Sequence, residues 1–253
     1  NMSASNDDGF QWGQNNKTSV VTNEAAIWHN GEINNPKPDD SRDWTPQDGT
    51  HGLRFRYPAG EPWSEQRFNM GAPQTELWLR YWIRVPTNYT HGSGDGGAGA
   101  ARNNKFISIW MDAYSGNGST FWLSMESAGG GNTNLAFTYN LGSETGALAY
   151  RQHKPFINAE NDKGKWMQMV IHLKAQSAEG INDGVVETWR RWESETEFTK
   201  FHEQFDVPFK LPDDGPNGFQ RGYLLGWANG AYLEDTEWLI DAFTLSTTSL
   251  LEE

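Results

Sequence analysis

No cysteine occurs among the 253 residues, which excludes a disulfide framework, thiolate catalysis and Cys-ligated zinc together. Long apolar runs are missing too. None reaches the roughly 18 residues that a membrane-crossing helix needs. Positive charge is scarce: 20 Lys and Arg stand against 33 Asp and Glu, a net charge of −13. Neither nucleic acid nor an anionic membrane is therefore an expected partner. Apolar residues reach only 36%, below the usual globular share but enough for a core.

Several catalytic signatures are also absent. The six histidines (His29, His51, His91, His153, His172 and His202) show no HxH or HExxH spacing, so zinc catalysis has no support. There is no GxSxG serine turn. The Glu-x-Asp-x-x-Glu alternation of a sandwich glycanase strand does not occur; Glu193, Glu195 and Glu197 alternate instead in an acidic segment that reads as a solvated turn. No charged-then-apolar leader opens the chain, so a secretion signal is read as removed or never present.

What is abundant is aromatic: 13 Trp, 13 Phe and 8 Tyr. That many tryptophans exceed what a core of this size needs, and some are expected to face a ligand. Strict alternation broken by Gly, Asn, Asp and Pro predicts short antiparallel strands and no long helix. The clearest runs from Glu76 to Val85, with Leu77, Leu79, Tyr81, Ile83 and Val85 on one face. Trp78, Arg80, Trp82 and Arg84 share the other. Comparable segments at 17–21, 52–57, 64–70, 105–111, 120–126, 135–139, 166–174, 185–192, 222–228 and 237–244 bring the expectation to about eleven strands. Their spacing suits an all-β, two-sheet antiparallel sandwich formed by residues 1–253 as one domain. The glycine-rich stretch 90–104 and the aperiodic stretch 145–162 read as loops.

The Trp/Arg face is unusual for the outside of a sandwich. Flat indoles stack on sugar faces, and guanidinium forks hold carboxylates bidentately. Arg54, Arg56, Glu65 and Arg67 repeat the theme on neighbouring segments, as do Lys105, Trp110, Trp122, Glu126, Gln168, His172, Trp189 and Arg191. Laid side by side, they would pave a locally basic groove for an acidic polysaccharide in an otherwise acidic protein. The competing expectation is burial of these Trp residues under loops, with the Arg residues paired to carboxylates. His153, between Gln152 and Lys154 in the aperiodic stretch, is the better catalytic histidine. His172, alone on a strand, fits a structural hydrogen bond more readily than a catalytic role.

The runs Gly52-Leu-Arg-Phe-Arg-Tyr57, Ser64-Glu-Gln-Arg-Phe68 and Glu76-Leu-Trp-Leu-Arg-Tyr-Trp82, with Asp183-Gly-Val-Val-Glu-Thr-Trp189 and the stretch 222–241, resemble the concanavalin A-like jelly roll of polysaccharide lyases of the heparin-lyase-I-like, glucuronan-lyase-like and alginate-lyase-like groups. The resemblance implies β-elimination on a uronate polymer, with no catalytic cofactor. Base and acid would come from Tyr223, Tyr232 and His153, and Arg67 and Gln152 would neutralise the uronate carboxylate. The alginate-lyase pattern is matched only in part. Glu65-x-Arg67 reverses the order of Arg-x-Glu, Gln152-His153 lacks the intervening residue of Gln-x-His, and the Tyr223–Tyr232 segment has no lysine. The resemblance further implies a structural calcium held by Asp8 and Asp241, an extracellular or periplasmic location, and a monomer. A lectin-like binding protein or a surface or virion module of the same fold are the alternatives.

Overall fold

A computed structural model of the chain describes residues 9–28, 32–91, 103–111, 120–140 and 149–251, except the side chains of 103 and 149–154. Sixteen strands and no helix occur among them. They are β1 (Gln11–Asn16), β2 (Thr18–Val21), β3 (Ala25–Ile27), β4 (Ile33–Pro36), β5 (Gly52–Tyr57), β6 (Trp63–Gln74), β7 (Glu76–Arg84) and β8 (Asn103–Trp110). Then come β9 (Phe121–Gly129), β10 (Asn132–Tyr139), β11 (Ala149–Ile157), β12 (Trp166–Lys174), β13 (Gly184–Trp192), β14 (Thr199–Val207), β15 (Phe219–Trp227) and β16 (Thr236–Ser246).

A seven-stranded sheet has the order β1-β6-β15-β8-β9-β10-β11, and a nine-stranded sheet the order β14-β13-β12-β7-β16-β5-β2-β3-β4. All pairings are antiparallel. The fold is therefore the two-sheet antiparallel jelly-roll sandwich that the alternation predicts. Each of the eleven expected segments is a strand. Four of the five further strands, β1, β4, β11 and β14, are sheet edges, which pair on one side only and carry polar residues instead of clean alternation. The fifth, β3, has three residues. The stretch 145–162, expected to be a loop, thus contributes β11.

One face of each sheet builds the shared core. Leu77, Leu79, Tyr81 and Ile83 of β7 are fully buried there, with Ile107 and Ile109 of β8 and Phe121, Leu123 and Met125 of β9. The outer face of the nine-stranded sheet carries the Trp/Arg row of β7, as predicted, but it is not a groove. Trp78 stacks on His172 at 4.0 Å and on Trp189 at 5.7 Å, and Leu250 of the C-terminal segment covers them. Arg80 donates to the Leu250 carbonyl at 3.0 Å. Both ring nitrogens of His172 lie 2.9 Å from carboxylates, Glu187 and Glu76.

The strap at 41–48 covers the other end. Trp44 packs with Trp166, Leu239 and Trp82 and donates its indole N–H to Glu237 at 2.8 Å. Arg84 donates to the Gly164 and Asp43 carbonyls and to the Asp43 carboxylate. Arg191 donates to Gln168 Oε1 at 2.9 Å and lies over Phe198. The expectation that Trp78, Arg80, Trp82, Arg84, His172, Trp189 and Arg191 bind substrate is corrected accordingly. The three Trp rings pack against other parts of the chain, and Arg80, Arg84, His172 and Arg191 bond within the protein, although Arg84 also lines a cavity with Arg42, Asn88 and Asp235.

Two outcomes follow from this cover. Trp78→Ala should lose about 3–5 kcal/mol of stability in denaturant titrations, because a large stacked side chain leaves a cavity; a loss of glycan affinity without loss of stability would return this face to the ligand. Asp43 has the second role. Burial alone would raise its carboxyl, but hydrogen bonds from Arg84 and Thr45 outweigh that and lower it to about 2. A lowered carboxyl stabilises the fold above its unfolded value of 3.8 and loses that contribution as pH falls through about 2. Asp43→Asn should therefore be less stable than wild type at neutral pH, by at most about 1 kcal/mol for a half-exposed pair. The gap should close on acidification, as read by denaturation at stepped pH.

Candidate functional site

The outer face of the seven-stranded sheet has a different character. Register alone draws one row across it: Arg67 of β6 opposes Tyr223 of β15, which opposes Ser108 of β8, then Trp122 of β9, Thr138 of β10 and Tyr150 of β11. A neighbouring row carries Lys105, Ser124, Ala136 and Gln152. Because side chains alternate, Arg67, Tyr223, Ser108, Trp122, Thr138, Lys105 and Ser124 share the face that the core does not use.

Glu65 organises the cationic part. Its Oε1 accepts from Arg67 Nε at 2.5 Å, and its Oε2 accepts from the indole N–H of Trp63 at 3.1 Å. Fixed by two donors, the carboxylate aims the guanidinium. Lys105 lies 5.8 Å from the centre of the Trp122 ring. Burial lowers its ammonium, and the Glu65 charge opposes that by raising it. Burial also raises the carboxyl of Glu126 on the same face.

Tyr223 packs against Trp110 with ring centres 5.2 Å apart. Its ring also lies over Gly226, where a Cβ would come within 2.6 Å of Tyr223 Cε2. Gly226 has φ +118°, so only glycine fits there on both counts. The hydroxyl of Tyr57 reaches this turn from the core, 2.8 Å from the Gly226 carbonyl and 3.2 Å from its N–H. The floor between the cations and the indoles is polar and enclosed. Ser108 Oγ, Ser124 Oγ, Thr138 Oγ1 and Trp122 Nε1 are buried with no hydrogen-bond partner among the described residues. Buried polar atoms without partners are costly and rare, and ligand sites are one place where they persist.

The sequence-predicted set divides accordingly. Arg67, Tyr223, Lys105, Trp110 and Trp122 share this face. Gln152 and His153 belong to β11, where Gln152 pairs with Ala136, but their side chains lie outside the described residues. Tyr232 does not join them. Its ring sits in the core against Tyr57 and Tyr89, its hydroxyl accepts from Trp238 Nε1 at 3.2 Å, and burial pushes it up to about 12. The structure corrects that expectation, since a phenol between the sheets reaches no ligand on an outer face. His91 and His202 are also core groups, bonded to the Met125 carbonyl and the Tyr139 hydroxyl. Arg221, which the sequence offers as a cation two residues from Tyr223, lies on this face as well. Trp63 and Trp227 are not singled out by the sequence, where the signals are the two-residue spacing of Trp63 from Glu65 and the position of Trp227 directly after Gly226.

The fold is shared with alginate lyases. A marine PL-14 alginate lyase from Aplysia kurodai superposes with a TM-score of 0.56 at 13% identity, over 80% of this chain and 85% of that one. The alginate lyase Aly36B, solved as a double variant with an alginate trisaccharide, superposes at 0.51 and 12% identity, over 78% and 82%. No protein-family model matches the chain, and no curated protein does. At these identities the likeness establishes the jelly roll and leaves activity to the site.

Of the two residues expected to hold calcium, only Asp241 is among the described residues. Asp8 lies outside the described residues. Asp241 accepts the backbone N–H of Gln47 and Asp48 on one oxygen and that of Ala242 on the other, each at 2.8 Å. Its lone pairs anchor the strap. Among the described residues no group of three or more His, Cys, Asp or Glu could hold a metal ion.

Glu65 is the testable hinge of the site. Glu65→Gln should move the pH midpoint for acetylation of Lys105, followed by peptide mass spectrometry, to lower pH. Loss of the neighbouring negative charge leaves burial unopposed. An unmoved midpoint would show that Glu65 does not sustain the Lys105 charge.

Proposed function

We propose that the protein is a polysaccharide lyase that cleaves a uronate-containing chain by β-elimination. The observation that carries the reading is the row on the outer face of the seven-stranded sheet. There a tyrosine lies in direct register with an arginine, beside a half-buried lysine, over a floor of buried hydroxyls and indoles. A uronate carboxylate set against Arg67 and Lys105 loses its charge to charge-assisted hydrogen bonds, which acidifies the proton at C5. Tyr223 serves as proton-transfer group. The C5 proton goes to the base, the electron pair forms the C4–C5 double bond, the C4–O4 bond breaks, and the leaving oxygen takes up a proton. No oxidant or metal enters the balance. A tyrosine acts as base near neutral pH only where cations favour the phenolate over its ordinary value of about 10. Among the described residues Arg67, Lys105 and Arg221 are the cations on this face.

The fold shared with alginate lyases supports the substrate class, and a polymer of that kind fits an extracellular or periplasmic setting. The test is ultraviolet absorbance of the new conjugated double bond on alginate, glucuronan, heparinoids, pectate and ulvan. Tyr223→Phe should lower turnover on the cleaved polymer by at least about 100-fold while affinity stays within about twofold, because only the hydroxyl is lost. A fully active Tyr223→Phe would remove the tyrosine from the reaction. Binding by the wild type without absorbance on every polymer would make the protein lectin-like instead.

A further inference from the structure

We infer that Trp63 and Trp227 form a sugar-stacking platform at one end of this groove, which takes a further uronosyl unit of the same polyanionic chain. The inference rests on the uronate-binding reading of the groove. Trp227 is 45% exposed, whereas Trp110 and Trp122, deeper in the same face, are each 7% exposed. It is directly opposite Trp63 in the ladder between β6 and β15, with ring centres 6.4 Å apart and planes tilted by 46°. The two indoles therefore make an open V rather than a closed stack, leaving one ring face of Trp227 to solvent. An aromatic ring so exposed contributes little to folding.

Trp63 is held in place. Its indole N–H is bound to Glu65, and its carbonyl accepts from Asn16 Nδ2 and Lys17 Nζ, both at 3.3 Å. A ring fixed before the ligand arrives loses little freedom on binding. The carboxylate that fixes it is the one that aims Arg67, so platform and cation are set in a common frame. Trp227 lies four residues beyond Tyr223 on β15, roughly 13 Å along an extended strand. That backbone offset is longer than one pyranose ring, and with Trp63 next to Arg67 on Glu65 it assigns the exposed Trp227 ring to the sugar adjoining the one held at Arg67. The other exposed large apolar residues, Trp28, Ile33, Ile181, Phe205 and Leu233, lie in other segments, and none shares the Glu65 frame.

The experiment measures affinity against chain length. Trp227→Ala is placed in the Tyr223→Phe background, so that a ladder of mannuronate, guluronate and glucuronate oligomers from trimer to octamer survives the titration. Stacking predicts a loss of about fivefold to tenfold for the octamer and a much smaller loss for the trimer. Trp227→Phe, which keeps a ring, should restore most of the loss and guards against a variant that merely unfolds. Equal affinity of Trp227→Ala and its parent at every length would overturn the platform. So would an equal loss at every length, which would place the ring at the first sugar. A parent that binds no oligomer would overturn both the platform and the reading beneath it. A wild type that binds the ladder without forming the double bond would overturn the lyase reading alone, and the length dependence would still decide the platform.

Discussion

Every strand in a two-sheet sandwich has two faces, and the shared core takes one of them. What becomes of the remaining two outer faces decides where function can sit. The nine-stranded sheet presents Trp78, Trp82, Trp166 and Trp189 outward, an apolar area that would be an aggregation hazard if left open. The strap around Trp44 and the C-terminal segment around Leu250 close it. On the outer face of the seven-stranded sheet Trp110 and Trp122 are as buried as Trp78 and Trp189, and what sets that face apart is its cations together with buried hydroxyls that have no partner among the described residues.

Charge follows the same division. Arg54, Arg56 and Arg84 on the covered sheet pair with Glu237, Asp235 and Asp43, so their charges serve the strap and the strand ends. On the seven-stranded sheet Arg67, Lys105 and Arg221 share a face with Glu65 and Glu126. A chain of net charge −13 thus keeps a local cationic excess where an anionic polymer could lie. The surrounding acidity discourages nonspecific contact with other polyanions.

The two-residue period of β7 is legible from residues 76–85, and so is the separation of its Leu face from its Trp/Arg face. Which sheet that face belongs to is not legible. The neighbours of β7 are β12 and β16, which lie far along the chain, and only long-range pairing tells that β6, β8, β9 and β15 join a different sheet. A single groove drawn from all the Trp and Arg alternations therefore merged two outer faces on opposite sides of the molecule. Arg67, Lys105, Trp110, Trp122 and Tyr223 survive the separation because they happen to share the outer face of the seven-stranded sheet. Tyr232 fails for a local reason. The chain leaves β15 after Trp227, where the Ala228 N–H bonds to the Pro62 carbonyl, and the next turn carries residue 232 between the sheets.

The backbone at 225–226 explains a further departure from simple alternation. Counting by twos from Tyr223 puts Leu225 outward, yet it is fully buried, with φ +56°. A leucine in the left-handed region costs on the order of 1–3 kcal/mol and persists only where its surroundings over-determine it. Here they do. Leu225 gains full burial in the core, the Tyr57 hydroxyl binds the Gly226 peptide on both its N–H and its carbonyl, and burial raises that phenol well above its ordinary value and keeps it a donor. The same turn seats the Tyr223 ring on Gly226 and returns Trp227 to the outer face opposite Trp63. Strain at Leu225 and a glycine-only turn at Gly226, held from the core by one buried hydroxyl, thus set both the proton-transfer group and the outermost indole. Changes at Tyr57 or Gly226 would therefore reach the groove without touching a ligand.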